Sequence, residues 1–264
     1  MFTTTFTTDA RDVEDGHARA MSQVASRGIA SPRPNDGILH LRLPKPGEVR
    51  VRKVISRSKA RPSGRYPSWK MGRMMHWESP HELNAFRLLD ADPDVLKFAE
   101  QPLVVIYVLD GMKREHYPDV LIYWSNRTKA LWEIKPEDKA LDPEMVRRTA
   151  LMARGLPAFG FSYQMVTAPE LTTGLGLANA LVLLRLGRGD IPNIERERIR
   201  RFMDSVGHIT WKAVQGGVLG PRGPAYVCRL ILEGALHVDG SMPLTGDTII
   251  AGSGIGRHKL QGRN

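Results

Sequence analysis

The chain has a single cysteine, Cys228. That excludes a disulfide framework and a thiolate zinc site, and a reducing compartment such as the cytoplasm is expected. No apolar run reaches the roughly 18 residues that a membrane span needs. The longest, "LANALVLLRLG" (177–187), carries Arg185, so no membrane partner is expected. The first residues, "MFTTTFTTDARDVEDG", lack a basic start followed by an apolar core, so no signal peptide is expected. There is no lysine-bearing phosphate loop, and "GLGLANA" lacks the glycine pattern and strand-then-helix context of a nucleotide site. ATP hydrolysis, if it is needed, therefore belongs elsewhere. One further absence is local: no acidic residue occurs from Val49 to Trp77.

That same stretch holds nine lysines or arginines: Arg50, Arg52, Lys53, Arg57, Lys59, Arg61, Arg65, Lys70 and Arg73. Tyr66, Trp69 and Trp77 are interleaved with them. A basic arm with aromatics suits phosphate contact, and these nine are the candidate DNA-binding residues. The whole chain agrees, with a net charge of +10 and a pI near 9.9. Such a balance points to a polyanionic partner, double-stranded DNA first. With 42% hydrophobic residues and a mean hydropathy of −0.28, the rest reads as a soluble globular protein.

Residues 1–37 have few large apolar residues and no clear period, and disorder is expected there. Residues 38–77 form the basic arm, with "VRVRKVI" as a short strand. A helix is expected over 79–93, because Ser79 is a good N-cap, Pro80 a favoured first residue, and Glu82 completes a capping box. Strands are expected at "LVVIYVL" (103–109), "DVLIYW" (119–124) and "ALWEIK" (130–135), joined by the turns "DGMKR" and "SNRTK" into an antiparallel meander. A helix from Asp142 to Arg154 and a strand over 161–167 follow. After a boundary near 168–172, the chain reads as helices over 175–187, 193–206 and 223–234, then two short strands. That outline is a winged-helix-like domain over 171–254, with a basic tail at 255–264. Its third helix would read DNA with Arg222 and Arg229, or the domain would dock protein instead.

Alternation along a strand puts Leu131, Glu133 and Lys135 on one face, and Asp119, Leu121 and Tyr123 on one face of the strand before. If those strands are neighbours, Asp119, Glu133 and Lys135 converge at one end of the sheet. Two carboxylates there repel unless a cation lies between them. Mg²⁺, which takes oxygen ligands, fits, with Mn²⁺ as a substitute. Lys135 cannot ligate a metal, but it can orient or deprotonate an attacking water, or stabilise charge on a phosphorane. Glu82, on the edge of its helix's apolar stripe, is the third candidate ligand. Read without the sheet, Glu82 is only a capping-box residue, and Glu133 with Lys135 only a surface ion pair.

The pattern "PDVLIYWSNRTKALWEIK" resembles the PD-(D/E)XK nuclease superfamily. Thirteen residues separate Asp119 from Glu133, room for a strand, a turn and most of a second strand. The longer stretch 78–137 is similar to the endonuclease domain of the TnsA family. The matching pieces are the Ser79–Glu82 helix start, "DPDVLKFAEQP", "YPD" and "EIKP". The resemblance implies an α/β fold: a restriction-endonuclease-like core over 78–170, with a mixed sheet flanked by helices, followed by the mostly helical winged-helix-like domain. It implies catalytic roles for Glu82, Asp119 and Lys135, with Glu133 where some members have glutamine. It implies an Mg²⁺-dependent endonuclease that hydrolyses the 5′ strand at transposon ends, beside an integrase-type transposase subunit and an AAA-type ATPase regulator. The alternatives are another PD-(D/E)XK nuclease, of restriction or repair type, and a non-catalytic DNA-binding scaffold.

Overall fold

The computed structural model describes residues 35–52 and 62–252. The expectations for the N-terminal stretch before residue 35, for Lys53, Arg57, Lys59 and Arg61, and for the tail 255–264 lie outside the described residues. The described chain divides into two compact units. One comprises residues 35–86 and 95–172, the other 87–94 and 173–252.

In the first unit the order is β1 (Gly37–Arg42), β2 (Gly64–Ser68), β3 (Arg73–Trp77), α1 (Pro80–Ala91), β4 (Val95–Glu100), β5 (Val104–Leu109), β6 (Met112–His116), β7 (Val120–Trp124), β8 (Lys129–Lys135), α2 (Glu137–Ala140), α3 (Pro143–Gly155), β9 (Ser162–Thr167) and α4 (Ala168–Thr172). Helix α1 runs past the boundary at residue 86 into the second unit. The main sheet has the order β4-β7-β8-β9, with β8 and β9 parallel and the other pairs antiparallel. It is mixed, as a sheet must be when an α-helical crossover separates its last two strands.

The expected three-strand meander is not what forms. Strand β5 pairs with β1 and β6 in a separate antiparallel sheet. The reason is the turn after β5. Asp110 and Gly111 both have positive φ, 55° and 76°, which matches the right-handed twist of a two-residue hairpin. The chain therefore doubles back through Met112–His116 before entering β7, and β4, inside "DPDVLKFAEQP", takes the place beside β7. In the arm, β1 joins the β5–β6 sheet and β2 pairs with β3, whereas the described part of "VRVRKVI" forms no strand.

The helix starts follow from their caps. In α3, the Asp142 carboxylate accepts from the backbone N–H of Glu144 (2.9 Å) and Met145 (3.2 Å), with Pro143 first. One face of the main sheet, through Leu121, Leu131 and Tyr163, packs with β5 and with Leu151 and Met152 of α3 in one apolar layer. The opposite face carries Phe98, opposite Ile122 in register, and α1 meets it through Phe86 with ring centroids 5.9 Å apart.

The second unit contains α5 (Gly176–Gly187), α6 (Asn193–Val206), β10 (His208–Thr210), α7 (Trp211–Gln215), α8 (Gly223–Leu232), β11 (Leu236–His237) and β12 (Ile249–Gly252). Its small sheet has the order β10-β12-β11, all antiparallel. Helix α8 is the core of this unit: Tyr226, Val227, Cys228, Leu230, Ile231 and Leu232 are all buried. Helix α5 lies so close that a Cβ at Gly187 would fall 2.7 Å from the Arg229 N and from the Cys228 carbonyl carbon. None of the ten residues of α8 is exposed, and Arg229 is engaged with Glu233. Of the two residues expected to read DNA, Arg222, just before the helix, is the exposed one.

Candidate active site

The register of β7 and β8 pairs Val120 with Trp132 and Leu121 with Leu131. The regular pairing ends at Val120: the Asp119 N–H donates to the Trp132 carbonyl at 2.9 Å, out of that register, and ties Asp119 to β8 at the start of β7. Its side chain there meets those of β8. Asp119 Oδ2 accepts from the backbone N–H of Ile134 at 2.8 Å and lies 3.4 Å from Lys135 Nζ. Lys135 Nζ is 2.7 Å from Glu133 Oε1. One ammonium thus bridges two buried carboxylates, 7% and 2% exposed.

Burial and the Glu133 charge push the Asp119 carboxyl up to about 7. For Lys135, burial favours the neutral amine, but Asp119 and Glu133 outweigh it and hold the ammonium above its ordinary range. The resting lysine is therefore a cation rather than a base.

Glu82 caps its helix and is buried. Its backbone N–H donates to Ser79 Oγ (3.2 Å), and its carboxylate accepts from Ser79 Oγ (3.1 Å) and, one residue before the cap, from the Glu78 N–H (2.9 Å), a variant of the capping box. It is also 7% exposed, and burial together with the Asp119 charge pushes it up to about 7. It comes from α1, on the Phe98 face of the sheet, whereas Glu133 and Lys135 project on the Leu131 face.

The donor set suits a hard divalent cation: facing carboxylates on neighbouring strands, one raised by the other's charge, with Asp119 Oδ1 accepting no hydrogen bond from the described residues. No group of three or more acidic, histidine or cysteine side chains is placed to hold one metal among the described residues. A site built on Asp119 and Glu133 remains, and one or two carboxylates with waters and phosphate oxygens is the usual Mg²⁺ arrangement.

Several neighbours carried no signal in the sequence. Arg148 of α3 donates through Nη2 to Glu133 Oε1 at 2.9 Å. His116, the last residue of β6, is buried against Tyr163 Oη (3.0 Å) and Glu133 Oε2 (3.3 Å). Burial, then Arg148 and Lys135, hold its imidazole well below the usual range, so it is neutral. Gln101 sits in the left-handed region (φ 48°) and is 1% exposed. Its N–H donates to the Asp119 carbonyl at 3.0 Å, and its own carbonyl accepts from Val51. A strained non-glycine residue beside a candidate catalytic aspartate fixes where that strand begins.

The arm arginines do something other than wait for phosphate. Arg73 makes a two-pronged pair with Glu100 (2.8 and 2.6 Å), and Arg50 lies 3.4 Å from the same carboxylate. Arg52 pairs with Glu78 and donates to Gln101 Oε1 at 3.1 Å. Lys70 lies over the Trp69 ring, 5.7 Å from its centroid, and Arg65 is exposed on β2.

Residues 92–167 match the model of the family described as TnsA-like endonuclease N terminal. This stretch of the chain is TnsA-like. It contains Asp119, Glu133, Lys135, His116 and Arg148, and Glu82 lies before it. The TnsA-like match points to a nuclease connected with transposition and to DNA as its substrate. No curated protein matches the chain. No helix among the described residues is long and apolar enough to cross a membrane.

Proposed function

We propose that the chain is the Mg²⁺-dependent endonuclease subunit of a heteromeric transposase, hydrolysing the 5′ strand at the ends of the mobile element. The observation that carries this reading is the Lys135 ammonium between the Asp119 and Glu133 carboxylates, inside the TnsA-like segment. Asp119 and Glu133 would hold the cation, which supplies a Lewis acid for the scissile phosphate. Lys135, kept protonated by those carboxylates, stabilises negative charge as it develops on the phosphorus oxygens. Gln101 and the Ile134 N–H fix the Asp119 backbone and carboxylate, so the reacting geometry is set before substrate arrives. Glu82, its carboxyl raised by burial and by the Asp119 charge, is the third candidate ligand in the same proposal.

The integrase-type transposase that cuts the other strand and the AAA-type ATPase regulator belong to the same proposal. So does the winged-helix assignment, supported by the order α6-β10-α7-α8-β11-β12 and the β10-β12-β11 sheet. With α8 buried, that unit is assigned to protein docking rather than to groove reading.

The test is cleavage of an end-labelled duplex bearing the element's end, with the partner transposase present. Lys135→Ala should abolish 5′-strand cleavage by at least a hundredfold while partner-dependent cutting of the other strand continues. Unchanged 5′-strand cleavage in that variant removes the reading.

A further inference from the structure

Glu133 is more enclosed than a carboxylate open to a cation needs to be. Its Oε2 is sealed from solvent and has no hydrogen-bond partner among the described residues. A metal therefore has to approach through Oε1, and Lys135 Nζ (2.7 Å) and Arg148 Nη2 (2.9 Å) already hold that oxygen.

The two cations are not equivalent. Lys135 divides its charge between Glu133 and Asp119. Arg148 reaches Glu133 as its one carboxylate among the described residues. Its Nη2 also approaches Met145 Sδ on the same helix (2.7 Å), and its Nε is buried with no partner. Helix α3 fixes where the guanidinium starts, because its first turn is capped by Asp142 and Leu151 and Met152 are anchored in the core. A full positive charge is thus held against the oxygen that the metal needs, by a side chain that is 20% exposed and also hydrogen-bonds the Tyr107 hydroxyl.

We propose that Arg148 is a positioning residue that bars the metal position: its guanidinium stands in for the divalent cation at Glu133, and loading the metal requires the Arg148–Glu133 pair to open. This rests on the metal-dependent nuclease reading. A displaced guanidinium has a phosphate oxygen as its best new partner, so duplex DNA favours the open arrangement and metal and DNA load together. A nuclease built this way stays metal-poor until it sits on its substrate.

The experiment is calorimetric titration with Mn²⁺, with and without a duplex oligonucleotide, on wild type, Arg148→Gln, Arg148→Met and Arg148→Lys, each checked for folding by thermal melting. Without DNA, the two neutral variants should bind Mn²⁺ about tenfold tighter than wild type, within the range that outer-shell changes produce. Arg148→Lys, which keeps the charge, should bind like wild type. Neutral variants that bind equally or more weakly overturn the proposal and leave the nuclease reading standing. Absence of Mn²⁺ binding in every protein, DNA present, overturns both. A crystal structure of the wild type with Mn²⁺ needs no variant. Metal on Asp119 and Glu133 with Arg148 out of hydrogen-bond reach supports the bar, and metal there with the pair intact removes it.

Discussion

Glu100 offers the sharpest test of how the arm is anchored to the main sheet. Its carboxylate is 1% exposed and takes two bonds from Arg73 (2.8 and 2.6 Å), the Arg50 guanidinium at 3.4 Å and the His76 N–H at 3.3 Å. Glu100→Ala removes the one carboxylate and leaves two guanidiniums, with side chains 18% and 25% exposed, facing each other. Breaking a buried pair in this way costs about 3–5 kcal/mol, and the partial exposure of the arginines puts the expected loss near 3. Arg73→Met strands the carboxylate instead and should cost about 2 kcal/mol. In the double variant Arg73→Met with Glu100→Ala, both charges go together, so the loss should fall short of the sum by about 1.5 kcal/mol or more. Urea denaturation of the four proteins at one pH closes the cycle. Additivity within about 0.5 kcal/mol, or a Glu100→Ala cost below about 1 kcal/mol, would refute the reasoning. Arg73→Met should also leave the salt dependence of DNA affinity unchanged, because that guanidinium is already spent on Glu100.

Two further predictions concern other parts of the chain. Asp119 is pushed up to about 7 in the folded protein. With its folded value raised, its contribution to stability is full below about pH 4 and is lost as pH rises through about 7. Without divalent cations, wild type should therefore lose roughly 2–3 kcal/mol relative to Asp119→Asn between pH 5 and pH 8, read by denaturant titration. A pH-independent difference contradicts the crowding of Asp119 by Glu133. In the second unit, Gly187→Ala places a Cβ 2.7 Å from the Arg229 N and the Cys228 carbonyl carbon. The variant should be destabilised by about 1–3 kcal/mol although alanine is the better helix former. A raised melting temperature would show that α5 and α8 are not in close contact.

What could be read from the sequence was local. Ser79, Pro80 and Glu82 announced α1, and Asp142 and Pro143 announced α3, because caps act within one turn. The alternation around Glu133 and Lys135 gave their common face with Asp119, because strand period is a short-range property. What escaped depended on distant pairing. "VLKFAE" has the burial pattern of neither a clean alternation nor a buried run, and only its partner β7 makes it a strand. Asp110–Gly111 was legible as a turn, but not as the hairpin that sends β5 into another sheet. The nine basic residues of the arm looked alike in sequence. Glu100, 27 positions beyond Arg73, is what separates a structural arginine from one available to DNA. Arg148 is one of two adjacent arginines on α3, and nothing local says which of them turns toward Glu133.

The central claim is that Asp119 and Glu133, bridged by Lys135, form a divalent-metal site. Calorimetry with Mg²⁺ or Mn²⁺, in the presence of duplex DNA, on wild type and Asp119→Ala tests it most directly. Binding by wild type that disappears in Asp119→Ala is the predicted result. Equal binding by both proteins would place the metal elsewhere, and no binding by either would leave a DNA-binding scaffold on a nuclease-like sheet.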